Sequence, residues 1–170
     1  MQAQSRAEGG QIDSAEVVVI GGGIIGCSIA YHLCRAGISD VLVLERNQLA
    51  SGATARSAGC LLHLRPNANT IGMISRTRTA IRELEERLGD SLDFRQVGCI
   101  RAVMSEPREA ELLTMEGCAR GQGLAVETIS AADARELCPW LELGAARRIV
   151  YVAADGYIDG ARLGIAYATA

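Results

Sequence analysis

The sequence predicts an α/β fold that opens on a parallel β-α-β unit and runs on into an α+β region. Three observations predict it. Val17-Val18-Val19-Ile20 is a continuous β-branched run, the texture of a strand buried on both faces of a parallel sheet. Glycines follow at once, and Ile25, Ile29 and Leu33 then recur at four-residue steps, the spacing of one helix face. Val41-Leu42-Val43-Leu44 supplies a second buried strand, and a parallel pair joined by one helix crosses over right-handed.

The remaining elements follow in order. Residues 1–15 are polar and small and read as a flexible tail, with too little apolar surface to offset the entropy of ordering. Ala36-Gly37 ends the first helix with a residue that tolerates left-handed geometry. After Glu45 the chain enters a run of small residues, Ser51 to Gly59, which lets the backbone approach a ligand closely. From about Asn69 to Leu88, Ile74, Ile81, Leu84 and Leu88 mark an amphipathic helix whose wet face carries the Arg82 to Arg87 charges. A strand pair or a bent strand around Gly98 is expected over Phe94 to Met104, and a helix from about Pro107 to Arg120. A strand is expected at Leu124 to Ile129. Ser130 with Asp133 caps a short helix from Ala131 to Leu137, which Pro139 stops. Another strand is expected at Arg148 to Ala153, a turn at Asp155 to Gly160, and a final helix at Ala161 to Ala170.

Composition narrows the function. The 170 residues fit one ordinary domain or the front part of something larger. Seventeen Lys and Arg against twenty Asp and Glu give a net charge of −3 with both signs scattered, which is not the basic patch of a nucleic-acid binder. At 49% apolar and 22% charged, the chain can bury a core. Aromatics at 4% are too few for a stacking platform. No apolar run reaches the ~20 residues that span a bilayer. Six cysteines without a C-x-x-C pair, and an N-terminus without an apolar signal segment, read as reduced thiols in a cytoplasmic protein. Cys27 and Cys34 share a helix face and read as small core residues. His32 and His63 are far apart with no ligand spacing around them, so no metal site is expected.

One motif carries chemistry. Gly21, Gly23 and Gly26 fit G-x-G-x-x-G between a strand and a helix, with Gly22, Ile24 and Ile25 in the intervening places and Glu45 at the end of the next strand. Gly21 permits the tight turn, Gly23 lets a pyrophosphate touch the backbone, and Gly26 brings helix and strand together. The helix start binds phosphate, and the Glu45 carboxylate accepts hydrogen bonds from ribose hydroxyls. This is a Rossmann-like dinucleotide cradle, and the glycines alone do not choose between NAD and FAD.

The stretch VVVIGGGIIGCSIAYHLCRAG…VLVLERNQLASGATARSAG resembles the N-terminal part of FAD-dependent amine oxidoreductases of the D-amino acid oxidase superfamily, especially glycine oxidase, sarcosine oxidase and dimethylglycine dehydrogenase relatives. The later DGYIDGARL resembles their D-G-x-x-D-P-x-x-L segment, so the likeness runs from about Glu16 to Ala170. The resemblance implies a Rossmann-like FAD-binding portion over residues 16–90, part of an α+β substrate domain over 91–154, and an incomplete return segment over 155–170. It implies that Glu45 and Arg46 hold the adenosine end, while Ser51, Gly52, Ala53, Thr54, Ser57, Ala58 and Gly59 line the pyrophosphate, ribityl chain and flavin ring. In the dimethylglycine and sarcosine dehydrogenase branch a histidine of this loop bonds covalently to the flavin. Arg56 stands at the matching place, so non-covalent FAD is expected. Gly160 stands where the family has Pro, a departure that reads as minor.

The implied reaction is oxidation of a C–N bond of a small amine or amino acid, with a hydride passing to the flavin. No residue stands out as the catalytic base. Arg56, Arg65 and Arg76 are candidates to meet a substrate carboxylate. Because the resembled enzymes are much longer, the expectation is a truncated portion of such an enzyme, completed by further sequence or by a second chain. A non-catalytic remnant and, more remotely, an NAD-dependent dehydrogenase are the alternatives.

Overall fold

The computed structural model describes residues 14–170; the expected N-terminal tail lies almost entirely outside the described residues. The elements are β1 (Val17–Ile20), α1 (Ile24–Arg35), β2 (Val41–Leu44), β3 (Cys60–Leu61), α2 (Ala68–Leu88), β4 (Cys99–Val103), α3 (Glu106–Gly121), β5 (Glu127–Thr128), α4 (Ala131–Leu137), β6 (Arg148–Val152), β7 (Gly156–Tyr157) and α5 (Gly160–Thr169). The chain divides into two compact units. The first holds the described residues up to Gly59, then Ile81–Asp93 and Ile158–Ala170; the second holds Cys60–Ala80 and Phe94–Tyr157.

In the first unit β1 and β2 pair in parallel, Val17 opposite Val41 and Ile20 opposite Leu44, as the two apolar runs lead one to expect. The expected burial on both faces is not met: α1 packs against the pair, while Val18, Ile20 and Leu44 remain 48%, 87% and 48% exposed. Helix α1 buries Gly26, Cys27 and Tyr31, and α5 lies along it with the rings of Tyr31 and Tyr167 meeting edge to face at 5.4 Å. This corrects the stripe read from the sequence: Ile25 and Ile29 are 75% and 46% exposed. Small Gly26 and Cys27 occupy the inner face because β1 and the glycine turn approach too closely for a branched side chain there. Cys27 is buried as expected, whereas Cys34 is exposed. The second half of α2 contributes buried Ile81 and Leu84, and its Glu83 meets Arg35 of α1 at 2.8 Å.

The second unit is built on an antiparallel sheet in the order β4-β6-β5. Leu64, Ile71, Leu112, Ala119, Val126, Val150 and Val152 form its main core, and Ala134, Leu143 and Ile149 a smaller one. Residues 60–80 belong here and not with the 16–90 stretch, because Cys60 and Leu61 pair with β7 while Ile71 enters the core around Val150. The capping box at α4 forms as the sequence indicates: the Asp133 N–H donates to Ser130 Oγ at 3.1 Å and the Ser130 N–H to Asp133 Oδ2 at 2.9 Å. The strand expected at Leu124–Ile129 shortens to Glu127–Thr128. Buried Glu116 of α3 receives Arg148 Nε and Nη2 at 2.5 and 2.8 Å, and this guanidinium holds its carboxyl below the usual range.

Candidate functional site

The β1–α1 turn is shaped by its glycines. Gly21 has φ +104°, a left-handed conformation that L side chains rarely adopt, and its N–H donates to the Leu44 carbonyl at 2.8 Å, locking the turn to the end of β2. At Gly26 a side-chain carbon would overlap the Gly21 carbonyl oxygen, and at Gly22 it would lie 2.9 Å from Glu45 Cβ. Gly23 is the N-cap residue of α1 and has no side chain to cap it. The loop supplies the cap instead: the Ile24 N–H donates to Thr54 Oγ1 at 3.0 Å.

Glu45 stands where the motif requires, at the end of β2. Its carboxylate accepts the Gly22 N–H at 2.8 Å on Oε2 and the Asn47 N–H at 2.9 Å on Oε1. The Asn47 and Gly22 amides hold this carboxyl below the usual carboxylate range. Each oxygen keeps a further lone pair, which is what accepting ribose hydroxyls requires. Beneath the turn, the Cys27 thiol donates to the Gly22 carbonyl at 3.3 Å, and burial pushes its pKa up.

The small-residue loop folds back on this turn. The Ala50 N–H donates to the Gly22 carbonyl at 2.8 Å, while Ala50 itself is buried with φ 57°. Ser57 Oγ donates to the Thr54 carbonyl at 2.8 Å, and the Ser51 hydroxyl to Gln48 O at 2.7 Å. Glycine turn and loop together enclose a cleft of about 480 Å³, lined by Gly21, Gly23, Gly26, Ala53, Thr54 and Ser57 with apolar residues of β1 and α1. The structure thus brings Gly21, Gly22, Gly23, Ile24, Ile25, Gly26, Glu45, Ala53, Thr54 and Ser57 into one neighbourhood. Arg46, Ser51, Gly52, Ala58 and Arg56 are exposed on the same stretch of loop. Arg65 and Arg76 belong to the second unit.

Three contributors have no signal of their own in the sequence, and the weight of a fourth is understated there. Ala50 anchors the loop; Ile158 donates its N–H to the Gly59 carbonyl at 3.1 Å; Gly164 faces Ala50. The fourth is Gly160, which matters more than its departure from the family pattern suggests. A carbon at its Cβ position would lie 2.7 Å from the Thr54 carbonyl oxygen and 2.8 Å from Ser57 Oγ. A row of small residues was the available signal, but sequence spacing does not show which loop they face.

This chain matches the family model described as FAD dependent oxidoreductase over residues 16–170. It belongs to that family. Human mitochondrial sarcosine dehydrogenase is 34% identical over 149 residues, 87% of this chain and 16% of that protein. The mitochondrial pyruvate dehydrogenase phosphatase regulatory subunit of mouse is 31% identical over 156 residues, 92% of this chain and 18% of that protein. Among solved structures, L-proline dehydrogenase from P. horikoshii superposes with a TM-score of 0.81 at 24% identity, covering 91% of this chain and 41% of that one. The last likeness shows a shared fold, with the glycine turn and its loop in the first unit of this chain. The chain spans less than half the length of each of these relatives.

Proposed function

We propose that the chain supplies the FAD cradle and part of the substrate region of an oxidoreductase that oxidises the C–N bond of a small amine or amino acid, of the glycine, sarcosine, dimethylglycine or D-amino acid type. The observation that carries the reading is the cleft itself, in which a G-x-G-x-x-G turn and a hydroxyl-bearing loop of small residues converge, with the Glu45 carboxylate at the end of β2 holding the Gly22 amide of that turn. These residues fit FAD: Gly23 and Ala53 leave the backbone approachable, and the start of α1 attracts phosphate through its N–H groups and dipole. Glu45 and Arg46 would hold the adenosine end, and Ser51, Gly52, Thr54, Ser57, Ala58 and Gly59 the remainder. When bound, the flavin supplies the hydride acceptor for the carbon beside the amine. The protein's own part is to position the cofactor and to keep water from the reacting face.

The FAD is held non-covalently. Arg56 replaces the histidine of the covalent branch, and a guanidinium stays protonated at neutral pH and offers no nucleophilic nitrogen. A second chain is the partner that fits the bare side of the sheet, where Val18, Ile20 and Leu44 are 48%, 87% and 48% exposed. Among the described residues no helix is long and apolar enough to cross a membrane. The cytoplasm is the compartment we assign, supported by six cysteines with no disulfide among them. A regulatory, non-catalytic role is the second reading, favoured by the likeness to a phosphatase regulatory subunit. Titrating the purified chain with FAD separates the two: a cradle takes up flavin and yields it on denaturation, and a remnant takes up none.

A further inference from the structure

In the second unit a histidine and an aspartate lie sealed from solvent, His63 at 0% and Asp155 at 1% exposure. Sequence reading gave His63 no carboxylate partner; the fold provides one from 92 residues away. Asp155 Oδ1 accepts the His63 backbone N–H at 2.9 Å and lies 2.7 Å from His63 Nδ1. The main-chain amide is an obligatory donor, so Oδ1 acts as an acceptor, and the ring proton belongs on Nδ1. The main chain of Asp155 is anchored on both sides: the Gly98 N–H donates to the Asp155 carbonyl at 2.9 Å and the Asp155 N–H to the Val152 carbonyl at 3.2 Å. Arg101 nearby donates to the Leu64 carbonyl at 3.2 Å, next in sequence to His63.

What remains is Nε2. Among the described residues it is the one buried side-chain nitrogen or oxygen without a hydrogen-bond partner. Buried polar atoms are nearly always satisfied, and an unsatisfied one calls for an explanation. The clasp to Asp155 needs Nδ1–H alone. Nε2 is therefore surplus to the clasp, and its tautomer leaves it a lone pair and nothing to donate.

We propose that His63 Nε2, locked by Asp155, is a dedicated acceptor site for one small hydrogen-bond donor held inside the second unit. The chemistry required is a single O–H or N–H group, and two sources supply it: an ordered water molecule, or the nitrogen of a small amine. Only the amine source rests on the function proposed above. The site itself does not, and neither FAD uptake nor its failure bears on it.

Nuclear magnetic resonance on the full chain carrying ¹⁵N-labelled histidine tests this. His32, exposed on α1, gives the second histidine signal in the same spectrum. The expected result is a proton on His63 Nδ1 and a bare Nε2 whose shift is that of a hydrogen-bonded acceptor. Addition of sarcosine or dimethylglycine distinguishes the sources. If Nε2 moves while Nδ1 stays, the donor is the amine; if Nε2 is unmoved and shows cross-relaxation to water, the donor is water. A His63→Asn variant retains a donor for Asp155, so it should fold and lose the amine or water signal together with Nε2. A proton on Nε2 in the unmodified chain, or an Nε2 shift equal to that of a nitrogen without a hydrogen bond in every sample, would overturn the proposal.

Discussion

Replacing Gly26 by alanine tests the geometry of the cradle with one methyl group. In a helix interior, glycine to alanine is intrinsically favourable by about 1 kcal/mol. At Gly26 the added carbon overlaps the Gly21 carbonyl oxygen, and it also comes within 3.1 Å of the Gly21 carbonyl carbon and 3.3 Å of Val19 Cγ1. The first two atoms are main chain and cannot rotate away, so α1 must lift from β1 and the glycine turn must open. Overpacking of this kind costs about 1–3 kcal/mol, and an obstruction made of backbone belongs at or above the upper end. After the helix propensity is offset, the net loss is about 2 kcal/mol. For a chain of this size that lowers the unfolding midpoint by about 4–8 °C. Gly117, exposed on α3 with nothing within 4 Å of its Cβ position, is the control. There the same substitution should raise the midpoint by about 2–4 °C. Thermal unfolding followed by circular dichroism reads both. A Gly26→Ala midpoint at or above that of the unaltered protein would refute the packing argument, as would a fall at Gly117→Ala.

Gly160→Pro, which installs the residue usual in the family, should destabilise this chain. A ring carbon in the Cβ place would sit 2.7 Å from the Thr54 carbonyl oxygen, inside the 3.0 Å limit that real contacts respect. Thr54→Ala removes the acceptor of the Ile24 N–H and should cost about 1 kcal/mol in chemical unfolding, the usual worth of a helix N-cap. Glu45→Gln should weaken FAD uptake roughly tenfold or more in an absorbance titration, since hydrogen bonds to a charged acceptor are the stronger kind. Glu116 gives a pH signature. Its folded pKa lies below the ordinary 4.5 because Arg148 grips it, so its stabilisation is complete above that value and is lost as pH falls through the lower folded one. An Arg148→Met variant should be less stable at pH 7 and lose less further stability on acidification below about pH 4.

The parts of the fold written in local spacing were legible beforehand. The apolar runs of β1 and β2, the glycine turn and the Ser130–Asp133 box each depend on residues close in sequence, and each appears where the pattern places it. What spacing could not show was which partner a segment meets. Ile25 and Ile29 look like a buried stripe, yet α1 is pressed so closely to β1 that Gly26 and Cys27 take the inner face. Strand β3, directly after the small-residue loop, was hidden because two residues paired to Gly156 and Tyr157 leave no periodicity. The site divides the same way. The places of Gly21, Gly23, Gly26 and Glu45 in the turn and at the end of β2 are written in their spacing, whereas the Thr54 cap on α1, the approach of Gly160 to the loop and the His63–Asp155 pair join residues 30, 106 and 92 apart.

Whether this chain forms a cradle for FAD is read from the visible spectrum of the purified protein titrated with FAD. The account predicts saturable uptake with a perturbed flavin band, full release of flavin on denaturation, and loss of uptake in Gly23→Val, whose side chain would enter the cleft beside Thr54 Oγ1. A folded, monodisperse chain whose flavin spectrum stays that of free FAD at every concentration would contradict it.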